Sequence, residues 1–276
     1  MSDEDIERAD RARVRRYYAG GAEAQRLEND DGWFERERTL ALIQKHVSEG
    51  SRILDIGGGA GVHARALADA GHQVTLVDLS PELIELAREQ HGDHIDEIVC
   101  ADIAEYSAMS AFDAVVCLGP GYHVGSAEEF REVCARVVEL TRAGGHVFLS
   151  FIPRLTGVAG LVARAASSKE QILPGTLTEV LATGVFRNDA EVGFAEAYFA
   201  DPEEVRAGFE ALGVDTRDLC SVRGFSAYYG AALRQLRDEN EPLYREVLQL
   251  TRETASLPEV VSSCWHAMYI GQVPSS

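Results

Sequence analysis

The sequence predicts an α/β protein built on a parallel sheet with helices over both faces, as one domain with helical additions. Three observations support this. Between residues 52 and 152, short β-branched runs alternate with helical stretches. The strand runs are apolar on both faces, as a sheet covered on both sides requires. A glycine-rich turn joins the first strand to the first helix.

Taken in order, RILDIG (52–57) reads as a buried strand. After the glycine turn comes the helix VHARALADA (62–70), stopped by Gly71. HQVTLVD (72–78) is the second strand. Ser80 caps the next helix, PELIELAREQ (81–90), with Pro81 in its first turn. DEIVCAD (96–102) and FDAVVCLG (112–119) follow as strands. EEFREVCARVVELT (128–141) is an amphipathic helix, expected to close at Gly144 and Gly145 before a fifth strand, HVFLSFI (146–152). The sheet is expected to resume with EVGFAEAYF (191–199) and a helix at 201–212 capped by Asp201. A strand at 214–224 and a last strand near 264–273 complete it. The domain therefore divides into a helical N-terminal cap (1–50), a core (51–153), a helical insertion (154–190) and the rest of the core (191–276), interrupted by helices at 226–254.

Composition narrows the function. The 276 residues hold 26 Lys+Arg against 45 Asp+Glu, a net charge of −19, with 46% hydrophobic residues. That is normal for a packed core and excludes disordered and fibrous classes. Such a negative field repels a phosphate backbone, so no nucleic-acid partner is expected. The basic run Arg8, Arg11, Arg13, Arg15 and Arg16 is interleaved with acids and reads as a solvated helix face. No run approaches the ~20 apolar residues of a membrane span. The start MSDEDIERAD lacks an apolar segment, so no signal peptide is expected. Five scattered cysteines (100, 117, 134, 220 and 264) form no metal or redox motif and read as reduced thiols of a cytoplasmic protein.

LDIGGGAG places Gly57, Gly59 and Gly61 at alternate positions. Glycine there lets the backbone turn sharply and a ligand approach closely. A dinucleotide turn needs G-x-G-x-x-G, but Val62 occupies the third glycine's place, and the ending of a phosphate-binding P-loop is also missing. Asp78 ends the second strand, where a carboxylate can accept hydrogen bonds from a ribose diol; its alternative role is a turn or capping aspartate. Asp102 ends the third strand and could accept from an adenine amine. Asp55 lies inside an apolar run, where burial requires a partner. It is expected to hold the glycine turn or a cationic part of the ligand.

LDIGGGAG, VTLVD and CAD together resemble the nucleoside-binding motifs of class I S-adenosylmethionine-dependent methyltransferases, over most of residues 50–152. FDAVVCLGPGYHV resembles the strand-four segment of a bacterial small-molecule branch that often reads D-x-V-L-x-L-G-P-L-Y-H-L. The N-terminal YY…RLE…FERERTLALI and the run Ser263 to His266 are similar to the same branch. The departures are His63 after the turn and Gly121 in place of Leu, which would enlarge an acceptor pocket. The resemblance implies a Rossmann-like, doubly wound, seven-stranded sheet, mostly parallel with an antiparallel last strand. It implies S-adenosylmethionine as cofactor and S-adenosylhomocysteine as product. Gly57, Gly59 and Gly61 would line the methionine and ribose, and Asp78 would hold the ribose with Leu79 beside the adenine. Asp102 would meet the adenine amine above Ile103, and Leu118 and Gly119 would lie near the sulfonium.

Methyl transfer asks for an aligned acceptor, exclusion of water and, for some acceptors, a base. His123 is the candidate base and Tyr122 an orienting or covering residue on the loop after strand four. Tyr17 and Tyr18 are candidate substrate-binding lid residues. The lid insertion at 154–190 and the helices at 226–254 are placed to wall an acceptor pocket, and their Phe186, Phe225, Tyr228 and Tyr229 read either as its lining or as core. Glu35, Arg36, Glu37 and Arg38 read as a solvated helix face, and His266 as a structural histidine on the last strand. No metal site is expected. The function expected is methylation of a small molecule at O, N, S or C, in a biosynthetic setting. The alternatives are an RNA or protein methyltransferase, or a non-methylating sulfonium-nucleoside-binding protein.

Overall fold

The computed structural model describes residues 11–16, 32–166, 172–188, 196–226 and 229–275. Residues 11–16 are helical and are followed by α1 (Trp33–Gln44). The core then alternates β1 (Arg52–Ile56), α2 (Val62–Asp69), β2 (Gln73–Asp78), α3 (Pro81–His91), β3 (Glu97–Cys100), β4 (Phe112–Cys117), α4 (Ala127–Leu140) and β5 (Thr141–Phe151). Next come α5 (Arg154–Ala166), α6 (Thr176–Thr183), β6 (Val185–Phe186), β7 (Ala197–Tyr198), α7 (Pro202–Ala211) and β8 (Asp215–Ser221). The chain ends with α8 (Gly230–Glu239), α9 (Glu241–Thr254), α10 (Pro258–Ser263) and β9 (Ala267–Gln272).

The main sheet has seven strands in the order β3-β2-β1-β4-β5-β9-β8. β1 to β5 pair in parallel, and β9 runs antiparallel between β5 and β8. The chain moves outward from β1 to β3 and returns at β4, so β1 and β4 flank the switch point above which such sheets bind ligands. Strand alternation divides the core. Leu54, Val115, Leu149 and Tyr269 pack on one face with Phe130, Val137 and Phe209. Ile53, Val116, Phe148 and Ile270 pack on the other with Ile43, Leu67 and Ile84.

Several expectations about the elements need correction. The stretch 191–199 contributes no strand to the main sheet among the described residues. Ala197–Tyr198 pairs with Val185–Phe186 in a separate two-stranded sheet, whose Phe186 and Ala197 join a satellite cluster with Leu161, Val180 and Phe199, while Val185 and Tyr198 pack on the main core. Helix α4 ends at Leu140, and Gly144 and Gly145 lie inside β5, where the pairing with β4 shifts register. Helix α10 is an addition to the expected elements, and His266 precedes β9 instead of lying on it. Among the described residues, no helix is long and apolar enough to cross a membrane. Cys117, Cys134, Cys220 and Cys264 are buried free thiols, and Cys100 is an exposed one.

Candidate active site

The loops after β1 to β4, together with residues 11–15, α1 and the segment before β9, surround a cavity of about 440 Å³. Its lining includes Asp55, Gly57, Gly59, Asp78, Leu79, Asp102, Ile103, Leu118 and Gly119. The expected donor-site residues are thus brought together, with one exception. Gly61 is absent from the lining. It caps α2 at φ 83°, and an added Cβ would face Leu76, Ile95 and His91 beneath the turn. Its glycine identity serves the helix entry and its packing.

The turn is tight for reasons of its own. A Cβ on Gly57 would fall 2.2 Å from Pro120, and one on Gly58 would fall 2.5 Å from an Asp55 oxygen. The need for glycine at 58 escapes the alternate-glycine pattern, which treats that position as free. Asp78 braces the turn: its carboxylate accepts the Gly59 and Ser80 amides, each at 2.8 Å. The sequence reading offers this role to Asp55. Asp55 is instead fully buried, and neither of its oxygens has a hydrogen-bond partner at normal geometry, with the Ala64 amide giving partial relief. Burial, with the Asp78 charge adding, pushes its carboxyl up to about 7. Burial also raises Asp78, against its amide bonds. Asp102 accepts the Ala104 amide at 2.8 Å and pairs with Arg11 at 3.2 Å.

The other half of the cavity centres on the loop after β4. Pro120–Tyr122 forms one 3-10 turn, and both Tyr122 and His123 line the cavity. Tyr122 is anchored among Ile152, Leu161, Val180 and Phe186. Gly121 does not enlarge the cavity. It is buried away from the lining, and an added Cβ would fall 3.1 Å from the Ser150 carbonyl of β5. His123 bonds the Glu196 carbonyl, yet burial pushes its imidazole down to about 4, with the charges of His266 and Arg164 adding. It is therefore neutral near pH 7 and a weak proton acceptor.

Two residues of the expected solvated face turn out to lie inward. Glu35 and Arg38 are buried, at 7% and 8% exposure, on the inner side of α1. Glu35 Oε1 lies 3.0 Å from His266 Nδ1, and the His266 ring stacks on Tyr122 at 5.7 Å. The spacing Glu35–Thr39–Leu42 carries the signal for an inward face, but the alternating charges hide it. None of the described residues of 154–190 or 226–254 lines the cavity. Phe186 is core, and Phe225 and Tyr229 are exposed. The described part of the 154–190 insertion instead packs on Tyr122 through Leu161, Val180 and Phe186. Tyr17, Tyr18 and Tyr228 lie outside the described residues. Among the described residues, no cluster of metal-ligating side chains occurs.

Residues 53–145 match the family model described as "Methyltransferase domain". This segment is thus similar to a methyltransferase domain. Ubiquinone biosynthesis O-methyltransferase of Xanthomonas oryzae pv. oryzae is 34% identical over 132 residues, covering 45% of this chain and 53% of the relative. The chain thus spans about half the length of the curated relatives it matches. Around this segment, the whole fold resembles magnesium protoporphyrin IX methyltransferase from Synechocystis, solved with bound S-adenosylhomocysteine. That match has a TM-score of 0.60 and 16% identity, and covers 95% of this chain and 99% of the other. It also resembles 1,6-didemethyltoxoflavin-N1-methyltransferase from Burkholderia thailandensis. There the TM-score is 0.57 and the identity 16%, covering 99% of this chain and 91% of the other. These likenesses establish a Rossmann-like fold, mostly parallel with an antiparallel β9.

Proposed function

We propose that this chain is an S-adenosylmethionine-dependent methyltransferase acting on a small molecule enclosed in the cavity. The observation that carries the reading is the buried Asp55 carboxylate beneath a glycine turn that Asp78 braces, both opening into that cavity. A buried carboxylate that has only partial relief from the Ala64 amide is favoured by a nearby cationic group, and a sulfonium amino acid nucleoside supplies one. Gly57, Gly59 and Asp55 would hold its amino-acid part, and Asp78 its sugar. Leu79, Asp102 and Ile103 would hold its base, with Leu118 and Gly119 at the sulfonium. When bound, S-adenosylmethionine supplies an electrophilic methyl group and leaves as S-adenosylhomocysteine.

Tyr122 and His123 would close the acceptor end, where excluding water and aligning the acceptor supply much of the catalysis. A cavity in which Glu35, Glu129, Glu132 and Glu196, with Asp55, Asp78 and Asp102, outnumber Arg11, Arg15 and Arg136 suits a small acceptor better than a polyanionic nucleic acid.

Thermal unfolding with S-adenosylmethionine, S-adenosylhomocysteine and NAD tests the donor. Either of the first two ligands, the sulfonium or its thioether product, at about 100 times its dissociation constant should add about 2.7 kcal/mol of stability, and NAD should add none. Stabilisation by NAD alone would refute the reading.

A further inference from the structure

We propose that His266, oriented by Glu35, is the proton acceptor for a hydroxyl-bearing substrate, so that the methyl group goes to oxygen. This rests on the methyltransferase reading of the cavity. Both residues line the same cavity as Asp55 and Asp78, and their side chains are only 17% and 10% exposed. A carboxylate on an inward helix face is costly to bury without a partner, and the partner it meets is an imidazole aimed at the same space.

Two side chains meet the imidazole, and a backbone bond fixes its residue. Glu35 stands 3.0 Å from Nδ1, Tyr122 stacks on the ring, and the His266 carbonyl accepts the Val222 amide at 3.0 Å. The Glu35 contact lies off the ideal hydrogen-bond line, and such contacts commonly tighten once substrate is bound. With Nδ1 facing Glu35, the tautomer protonated there leaves the Nε2 lone pair to take a proton. Among the described residues, Glu35 on α1 and Tyr122 and His123 on the loop after β4 are titratable groups that face His266, and Cys264 beyond α10 faces Glu35. Farther along α1, Arg38 bonds the Val222 carbonyl.

In the step itself, the acceptor O–H bond breaks and its electron pair stays on oxygen. The proton forms an N–H bond at Nε2, and the imidazolium charge rests against the Glu35 carboxylate. An amine attacks with a lone pair it already has, whereas a hydroxyl gains most from losing its proton first. The pairing therefore favours an oxygen acceptor, such as a phenol. His123 is less suited to this task because burial, outweighing its bond to the Glu196 carbonyl, makes its imidazole a weaker base.

The test uses the full chain loaded with S-adenosylhomocysteine and 4-nitrophenol as probe, at a pH where the free phenol is mostly protonated. Adding the wild-type protein should raise the phenolate absorbance. His266→Gln should cut that rise by at least about tenfold, and Glu35→Gln should cut it partially. No phenolate with the wild-type protein, or loss in His123→Gln with His266→Gln intact, would overturn the proposal. Calorimetric titration of each sample with S-adenosylhomocysteine reports the donor half separately. Normal donor binding without phenolate removes only the base, whereas absent donor binding in the wild type removes the methyltransferase reading as well.

Discussion

Burial lifts Asp55 to about 7 and lowers His123 to about 4, so the two groups oppose each other across mildly acidic pH. Between the ordinary carboxylate range and about 7, folding takes up a proton at Asp55, so its contribution to stability falls as pH rises. Between about 4 and the ordinary imidazole range, folding releases a proton at His123, so its contribution rises with pH. Asp55→Asn removes the first effect alone. Its stability relative to wild type should climb between about pH 4 and pH 8 by up to about 4 kcal/mol, the ceiling that the rise of the Asp55 carboxyl sets. Urea unfolding at several pH values checks this, and a flat difference would show that Asp55 finds a partner in solution. Asp55, Asp78 and the glycine turn are legible in the sequence because few local structures call for a carboxylate and glycines inside a strand–turn–helix pattern. Glu35 is not, because alternating charge is the ordinary signature of a solvated helix.

Helix caps set where the site loops begin and end. Ser126 caps α4 by accepting the Glu129 amide at 3.1 Å, while Glu129 reaches back to the Gly125 amide at 2.6 Å. This reciprocal pair pins the loop that carries His123. Ser126→Ala should cost about 1 kcal/mol by chemical denaturation, and no measurable loss would mean that water replaces the cap. The elements of residues 52–140 are readable because their caps and periodicities are local. The start of β5 at Thr141 is not, since it depends on pairing with β4 across a register shift. The role of 154–190 is likewise unreadable. A helical insertion can cover a site or support it, and the packing of its described part on Tyr122 and Phe199 decides for support.

Across the whole molecule, the two halves of the cavity, proposed to hold donor and acceptor, rest on different supports. The turn and Asp78 stand on the sheet core, whereas Glu35 stands on α1, held by Trp33 and Phe34 against Leu233 of α8 and Tyr244 of α9. Arg237 also lies over the Trp33 ring at 4.7 Å. Trp33→Ala should destabilise the protein by about 3–5 kcal/mol and suppress ionisation of 4-nitrophenol, while leaving affinity for S-adenosylhomocysteine within about threefold, less than about one kcal/mol. Unfolding curves and calorimetry on the same variant measure both, and a parallel loss of donor affinity would show that the halves are coupled.

By itself, the sequence determined the parallel α/β core, the glycine turn and the carboxylates at the strand ends, because each follows from local spacing and from the cost of burying charge. Only the tertiary structure decided that Glu35 and His266, from opposite ends of the chain, meet over Tyr122. It also decided that the described part of the 154–190 insertion packs on Tyr122. Both depend on packing between distant segments, which no local pattern encodes.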